Sequence, residues 1–287
     1  MFQWLMDRLG RGHPVVPVVR LSGVIASGPM LGSRGLSIET VAPLLARAFS
    51  QRGAKAVALA INSPGGSPVQ SALIGQRIRL LAREKNLPVI AFVEDVAASG
   101  GYWLACAADE IVADPSSIVG SIGVISSGFG FKDLLARFGV ERRVHTSGDK
   151  KAMLDPFRDE NPEDVERLKR LQAEIHEGFK DWVRERRGAT LKGDDALLFS
   201  GEFWTARRGI ELGLVDSLGE LRAVLQARYG EKVRLPVVAA RRRLWQRFGF
   251  GSSIGGADAG TDGGIGAIGP ALLAALEERA HWQRFGL

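Results

Sequence analysis

The chain has a single cysteine, Cys106, in 287 residues, so it has no partner within the chain for a disulfide and there is no multi-cysteine metal site. Histidine is scarce too: His13, His145, His176 and His281 are the four, and their separation fits no metal-ligand spacing. The residues therefore call for no metal and no cofactor. Long apolar runs are missing as well; none reaches the roughly 18 residues that span a bilayer. The opening residues mix Phe2, Trp4, Leu5, Met6 and Leu9 with Asp7, Arg8 and Arg11, too short and too charged for a secretory signal. An amphipathic first helix is the expectation for residues 1–14, with a weak interfacial anchor as the sharper reading.

What is present is ordinary for a folded protein: 45% hydrophobic and 24% charged residues exclude disordered, collagen-like and disulfide-scaffold classes. The net charge of +6 is local. Within 231–250, Lys232, Arg234, Arg241, Arg242, Arg243 and Arg247 face Glu231 alone, six minus one, which leaves the rest nearly neutral. A nucleic-acid-binding domain spreads its charge over a face, so no nucleic-acid partner is expected. Residues 241–250 interleave arginines with Leu244, Trp245 and Phe248. That pattern suits peripheral contact with an anionic membrane, or packing on an acidic patch of a partner subunit. The expected location is cytoplasmic or peripheral on the inner face of the cytoplasmic membrane.

Strand-length apolar runs alternate with helical patterns. Residues 15–25, 55–61, 88–93 and 111–113 read as strands, with shorter ones at 123–126 and 140–146; residues 38–52, 67–85 and 99–108 read as helices. Such alternation predicts an α/β fold, a parallel sheet built from βαβ units with outer helices. Asn161-Pro162-Glu163 reads as a helix cap followed by proline at the first helical position. Val165, Leu168, Leu171, Ile175, Phe179, Trp182 and Val183 then form one apolar stripe on a helix reaching Arg187. The predicted organisation is one domain over 15–230, a basic segment over 231–250, a Gly-rich linker over 251–269 and a C-terminal helix over 270–287.

Two turns carry the chemistry. Asn62-Ser63-Pro64-Gly65-Gly66-Ser67 lies between a buried strand and a helix, and its paired glycines let backbone N–H groups converge. Such donors suit a developing oxyanion, although a plain tight turn explains them equally well. Ala97-Ala98-Ser99-Gly100-Gly101-Tyr102 places a hydroxyl at a second helix start. Alone, Ser99 reads as an N-cap; with both turns at the carboxyl ends of parallel strands, chemistry is favoured. A serine nucleophile needs a base, and His145, ending a strand, is the credible histidine. Close by, Ser147-Gly148-Asp149-Lys150-Lys151 offers two lysines. A lysine acts as base only when neutral, so its site must bring its pKa from about 10.4 toward 7–8.

These two turns, followed by Gly120-Ser121-Ile122-Gly123-Val124 and by the stretch from Ser200-Gly201-Glu202-Phe203-Trp204 to Gly219, resemble the signal peptide peptidase A family of serine peptidases. The resemblance runs over 15–222 with the motifs in family order. It implies a Clp-protease/crotonase-like fold with a protruding assembly helix and a Ser–Lys dyad. Ser99 takes the place of the nucleophile, Lys151 rather than Lys150 that of the base, and Ser121 that of the residue orienting the lysine. The oxyanion donors implied are the N–H of Gly100 and that of Gly65 or Gly66. The family's substrates are apolar peptides such as signal-peptide remnants. Single-copy members form homo-oligomers with serine and lysine from adjacent subunits, and 161–187 is the matching assembly helix. Competing readings are a Clp-type triad, which has no histidine after Ser99 before His145, a crotonase-like acyl-CoA enzyme, and a catalytically silent scaffold or membrane adaptor.

Overall fold

The computed structural model describes residues 13–27, 29–30, 33–148, 150–239 and 279–286. The basic tract 241–250, the linker 251–269, the beginning of the C-terminal helix and nearly all of 1–14 lie outside the described residues. Helix starts follow their capping residues. Helix α1 (Ile38–Phe49) begins at Ser37, whose hydroxyl accepts from Thr40 N–H while the Thr40 hydroxyl accepts from Ser37 N–H. Helix α2 (Pro68–Lys85) has Ser67 as its cap and proline at the first position, and ends at left-handed Asn86. Helices α3 (Gly100–Ala105), α4 (Lys132–Arg137) and α5 (Pro162–Arg187) follow. As its sequence predicts, α5 is capped by the Asn161 side-chain oxygen Oδ1, which accepts from Glu163 N–H, and it ends at Gly188. Helices α6 (Asp195–Leu198), α7 (Ala206–Glu211) and α8 (Leu221–Tyr229) come next, and residues 279–283 are helical as well.

Among the described residues the main sheet has seven strands: β1 (Val18–Ser22), β2 (Val57–Ser63), β3 (Val89–Ala98), β4 (Glu110–Ala113), β5 (Ile118–Gly120), β6 (Phe203–Thr205) and β7 (Ser217–Leu218). Among the described residues of this sheet, pairing is parallel from β1 through β2, β3 and β4 to β7, and β5 with β6 is the antiparallel pair. Strands β2 and β3 are buried along most of their length, as strands covered on both faces must be. Val57, Leu59 and Ile61 point to the side packed by α1 and α2 (Leu45, Ile74, Ile78) and by Phe179 and Val183 of α5. Ala58, Ala60, Ile90 and Phe92 point to the other side, covered by Leu225 of α8 and by Val233. Each fully buried valine, leucine or isoleucine among these contributes about 1.5–3 kcal/mol.

Strand β3 is longer than its apolar run 88–93 suggests. It pairs with β4 through Ile90–Val93 and then, along the same direction, with β5 through Val96–Ala98. Two expected strands are absent: 123–126 and 140–146 are not strands. Both are irregular and carry exposed apolar residues, Ile125 and Val140 among them, and neither pairs with a strand among the described residues. Residues 233–238 instead lie along β1, with Val16 N–H donating to Arg234 O and Val18 N–H to Pro236 O.

The C-terminal end of α5 locks the body. Buried Arg187 donates to both Asp216 carboxylate oxygens at 2.8 Å and to Gly213 O, while Asp216 also accepts from Ile111 N–H at 2.7 Å. Tyr102 O–H donates to Leu214 O at 2.9 Å, tying α3 to the same closing segment. Replacing Arg187 with leucine strands the Asp216 charge and the Gly213 carbonyl; we expect a loss of about 3–5 kcal/mol, read from the denaturant midpoint at unchanged m.

Candidate active site

Parallel pairing aligns the ends of three strands. Ser63 of β2 pairs with Ala97 of β3, and Ala98 pairs with Gly120 of β5, so the residues that follow, Ser99 and Ser121, leave the sheet side by side. Ser99 N–H donates to Gly120 O at 2.8 Å, which fixes that register at the site itself. Both serines have positive φ, 51° at Ser99 and 52° at Ser121, a region that L residues enter only when held there.

Ser99 caps α3 by position, yet its side chain makes no capping bond. The N-cap reading of this serine is thus not what the geometry shows. Among the described residues neither the Ser99 nor the Ser121 hydroxyl has a hydrogen-bond partner. The adjacent glycines are steric requirements. A Cβ at Gly101 would stand 2.3 Å from Ser63 O, and one at Gly66 would stand 2.1 Å from Ile25 O. The chain closes this tightly around Ser99 only because those atoms are missing.

The two glycines of the first turn separate in role. Gly65 N–H donates to Ser63 Oγ at 3.2 Å. Gly66 and Gly100 keep N–H groups without a partner among the described residues, and both border the same cleft as Ser99. That arrangement can receive a developing negative charge on oxygen.

Two clefts meet at Ser99. One, of about 20 Å³, is walled by Pro68, Trp103, Val124, Ile175 and Phe179 and is apolar. Trp103 stacks on Phe179 with centroids 4.7 Å apart, and Trp182 Nε1–H donates to Trp103 O, so this wall is braced. The other, of about 260 Å³, is walled by Ser121, His176, Ser200, Gly201 and Arg284 and is polar. Arg284 arrives from the C-terminal residues, where Phe285 meets Phe203 edge-on at 5.0 Å.

The predicted bases fare differently. Lys150 Nζ is 3.3 Å from Glu163. Lys151 is exposed, has no ion-pair partner among the described residues and borders neither cleft. The single chain therefore does not bring Lys151 to Ser99. His145 is exposed and, within one chain, also borders neither cleft. The histidine at the site is His176, half-buried on α5, with Nε2 3.0 Å from Ile122 O. Its neighbours Glu174 and Glu177 disguise it as a surface residue. The available signal is its spacing, three residues before Phe179 and seven before Val183, which puts it on the buried face. Among the described residues no group of three or more His, Cys, Asp and Glu is placed to hold a metal.

The family model for peptidase family S49 matches residues 81–233, more than half of the chain and the part that holds β3, Ser99, Ser121 and α5. The chain belongs to peptidase family S49. Among its relatives, the Serine protease SPPA, chloroplastic of Arabidopsis thaliana is 31% identical over 241 residues, covering 82% of this chain and 35% of that protein. Protease 4 of Haemophilus influenzae is 33% identical over 221 residues, 75% of this chain and 35% of that one. A Brucella abortus protein named Na(+)/H(+) antiporter NhaA is 52% identical over 275 residues, 95% of this chain. The S49 chain spans 37% of the length of that relative. No described helix of this chain is long and apolar enough to cross a membrane.

Cys106, the remaining side chain of nucleophilic chemistry near α3, is fully buried, and burial pushes its thiol up to about 12. At pH 8 the thiolate fraction is then about one in ten thousand. We expect the native protein to leave a thiol reagent unreacted at pH 8 and the denatured chain to take up one equivalent; rapid native labelling would contradict the burial.

Proposed function

We propose that this chain is a serine endopeptidase in which Ser99 is the nucleophile and Lys151 the base, acting on apolar peptides. The observation that carries the reading is Ser99 itself: a strained serine with an unspent hydroxyl, beside the unspent N–H groups of Gly66 and Gly100, in a chain of a peptidase family. Ser99 Oγ attacks the scissile carbonyl carbon and its proton passes to the neutral amine of Lys151. The oxyanion is received by Gly66 and Gly100 N–H. The lysine proton goes to the leaving amine, and water then releases the acyl group from Ser99. Ser121, beside Ser99 and with a free hydroxyl, orients the lysine.

Since Lys151 lies away from Ser99 within one chain, the lysine in this reading comes from a second copy. Two features support such an assembly. Ile125, Phe129, Leu134, Phe138 and Val140 are exposed, as are Leu171 and Ile175 on the first half of the α5 stripe. An apolar surface of this extent is what a partner subunit covers. The polar cleft next to Ser121 is wide enough for a long side chain. The narrower apolar cleft supports a preference for small apolar residues at the cleaved position.

The test is hydrolysis of a fluorogenic apolar peptide by wild type and variants across pH 6–10, a range bracketing the value of about 7–8 that a lysine base needs. Ser99→Ala and Lys151→Ala are expected each to lower kcat by 10³-fold or more, as loss of a nucleophile or its base does. Lys150→Ala stays active, and the wild-type rate rises with pH through one ionisation. Mixing the two inactive variants under subunit exchange restores part of the activity. If wild type binds the peptide without cleaving it, the scaffold reading replaces this one.

A further inference from the structure

Beyond β5 the chain runs through Ser121, Ile122, Gly123 and Val124 without a strand partner, yet this segment borders both clefts and carries the second strained serine. Three hydrogen bonds hold it. Ser121 N–H donates to Glu202 O at 2.7 Å and Gly123 N–H to Ser121 O at 3.0 Å. The third joins His176 Nε2 to Ile122 O at 3.0 Å, across 54 residues of sequence. A carbonyl oxygen can only accept, so Nε2 carries the proton, which settles the tautomer of the neutral ring. Among the described residues this is the only side-chain hydrogen bond made to 121–124.

The donor sits on rigid support. Phe179 and Val183 bury the following turns of α5 in the core, and Arg187 locks its end. A ring held by that helix can fix a strained segment that no sheet ladder fixes. We propose that His176 is a positioning residue of the Ser99 centre: through the Ile122 carbonyl it holds Ser121 and the Gly123–Val124 wall in register with the nucleophile. The proposal rests on the peptidase reading for its kinetic consequence but not for its structural one.

The test compares wild type, His176→Ala and His176→Gln. Glutamine places an amide N–H close to the Nε2 position and has no basic nitrogen, so it restores a hydrogen bond but not a proton acceptor. His176→Ala is expected to lower kcat about 10- to 100-fold with KM nearly unchanged, as a displaced catalytic group does. Hydrogen exchange at 121–125 should quicken while exchange at 179–187 stays slow. His176→Gln should recover most of kcat and the slow exchange together. Three results overturn the proposal: full activity and unchanged exchange in His176→Ala, loss of protection along the whole of 162–187, or a His176→Gln protein with restored exchange and no activity, which would make the ring a base. Should wild type show no Ser99-dependent hydrolysis, the peptidase reading falls, and the exchange pattern of the two variants still decides whether His176 holds 121–124.

Discussion

The hydrogen bond from Ser99 N–H to Gly120 O is where the sheet turns into a site. It is the last rung of the β3–β5 ladder, and it holds the backbone of the nucleophile candidate against the strand that delivers Ser121. Because β3 uses its first half on β4 and its second half on β5, one strand carries the core and then hands its end to a different neighbour. If the strand stopped at Val93, as its first partner β4 alone would allow, Ser99 and Ser121 would have no common register. The strain at both serines is tolerable for the same reason. A positive φ in a non-glycine residue costs on the order of 1–3 kcal/mol, and a parallel ladder anchored in a buried sheet supplies the restraint.

Close approach is the second half of the arrangement. Gly66 meets Ile25 O and Gly101 meets Ser63 O at distances that no Cβ can share. The Gly101 contact joins the two turns, while the Gly66 contact packs the first turn on the segment after β1, and the free N–H groups of Gly66 and Gly100 border one cleft with Ser99. The Gly-Gly pairs thus act through sterics first, and the donors they expose follow from the packing. That order explains why Gly65, equally free to adopt a positive φ, is spent on Ser63 Oγ.

What the sequence makes legible follows from how local the information is. Asn161-Pro162 specifies the start of α5 because a cap and a proline at the first helical position act within one turn. The buried strands β2 and β3 are equally legible as apolar runs. The extension of β3 to Ala98 is not, because Glu94 and Asp95 interrupt the run and the strand beyond them rests on pairing of Val96–Ala98 with β5 and of Ala97 with Ser63 of β2. The runs 123–126 and 140–146 mislead in the opposite sense: their composition suits a strand, but strand formation needs a neighbour that one chain does not place there. Ser99, Ser121 and the glycines were readable as motifs, whereas His176 was hidden by flanking glutamates. The family resemblance named Lys151, and nothing local in the sequence indicates which molecule supplies it.

That last point bears on how such a site is controlled. Within one chain the cleft beside Ser99 holds Ser121, His176 and Arg284 but no lysine, while Lys151 stands exposed on a turn held by its own N–H to Gly148 O and, further on, by Asp155 with Arg142. Under the proposed reading, nucleophile and base meet only when copies associate, so the active fraction follows the population of the assembled form. The apolar residues exposed on 125–140 and on the first half of α5 would then have two roles at once. Their burial drives association, and association completes the dyad. A peptidase built this way has no active isolated subunit to restrain. The His176–Ile122 contact acquires its importance in the same frame, since the wall that receives an incoming lysine must already be in place before the second copy arrives. Positioning from α5 meets that need, because the helix that presents the apolar stripe is the same one that holds the wall.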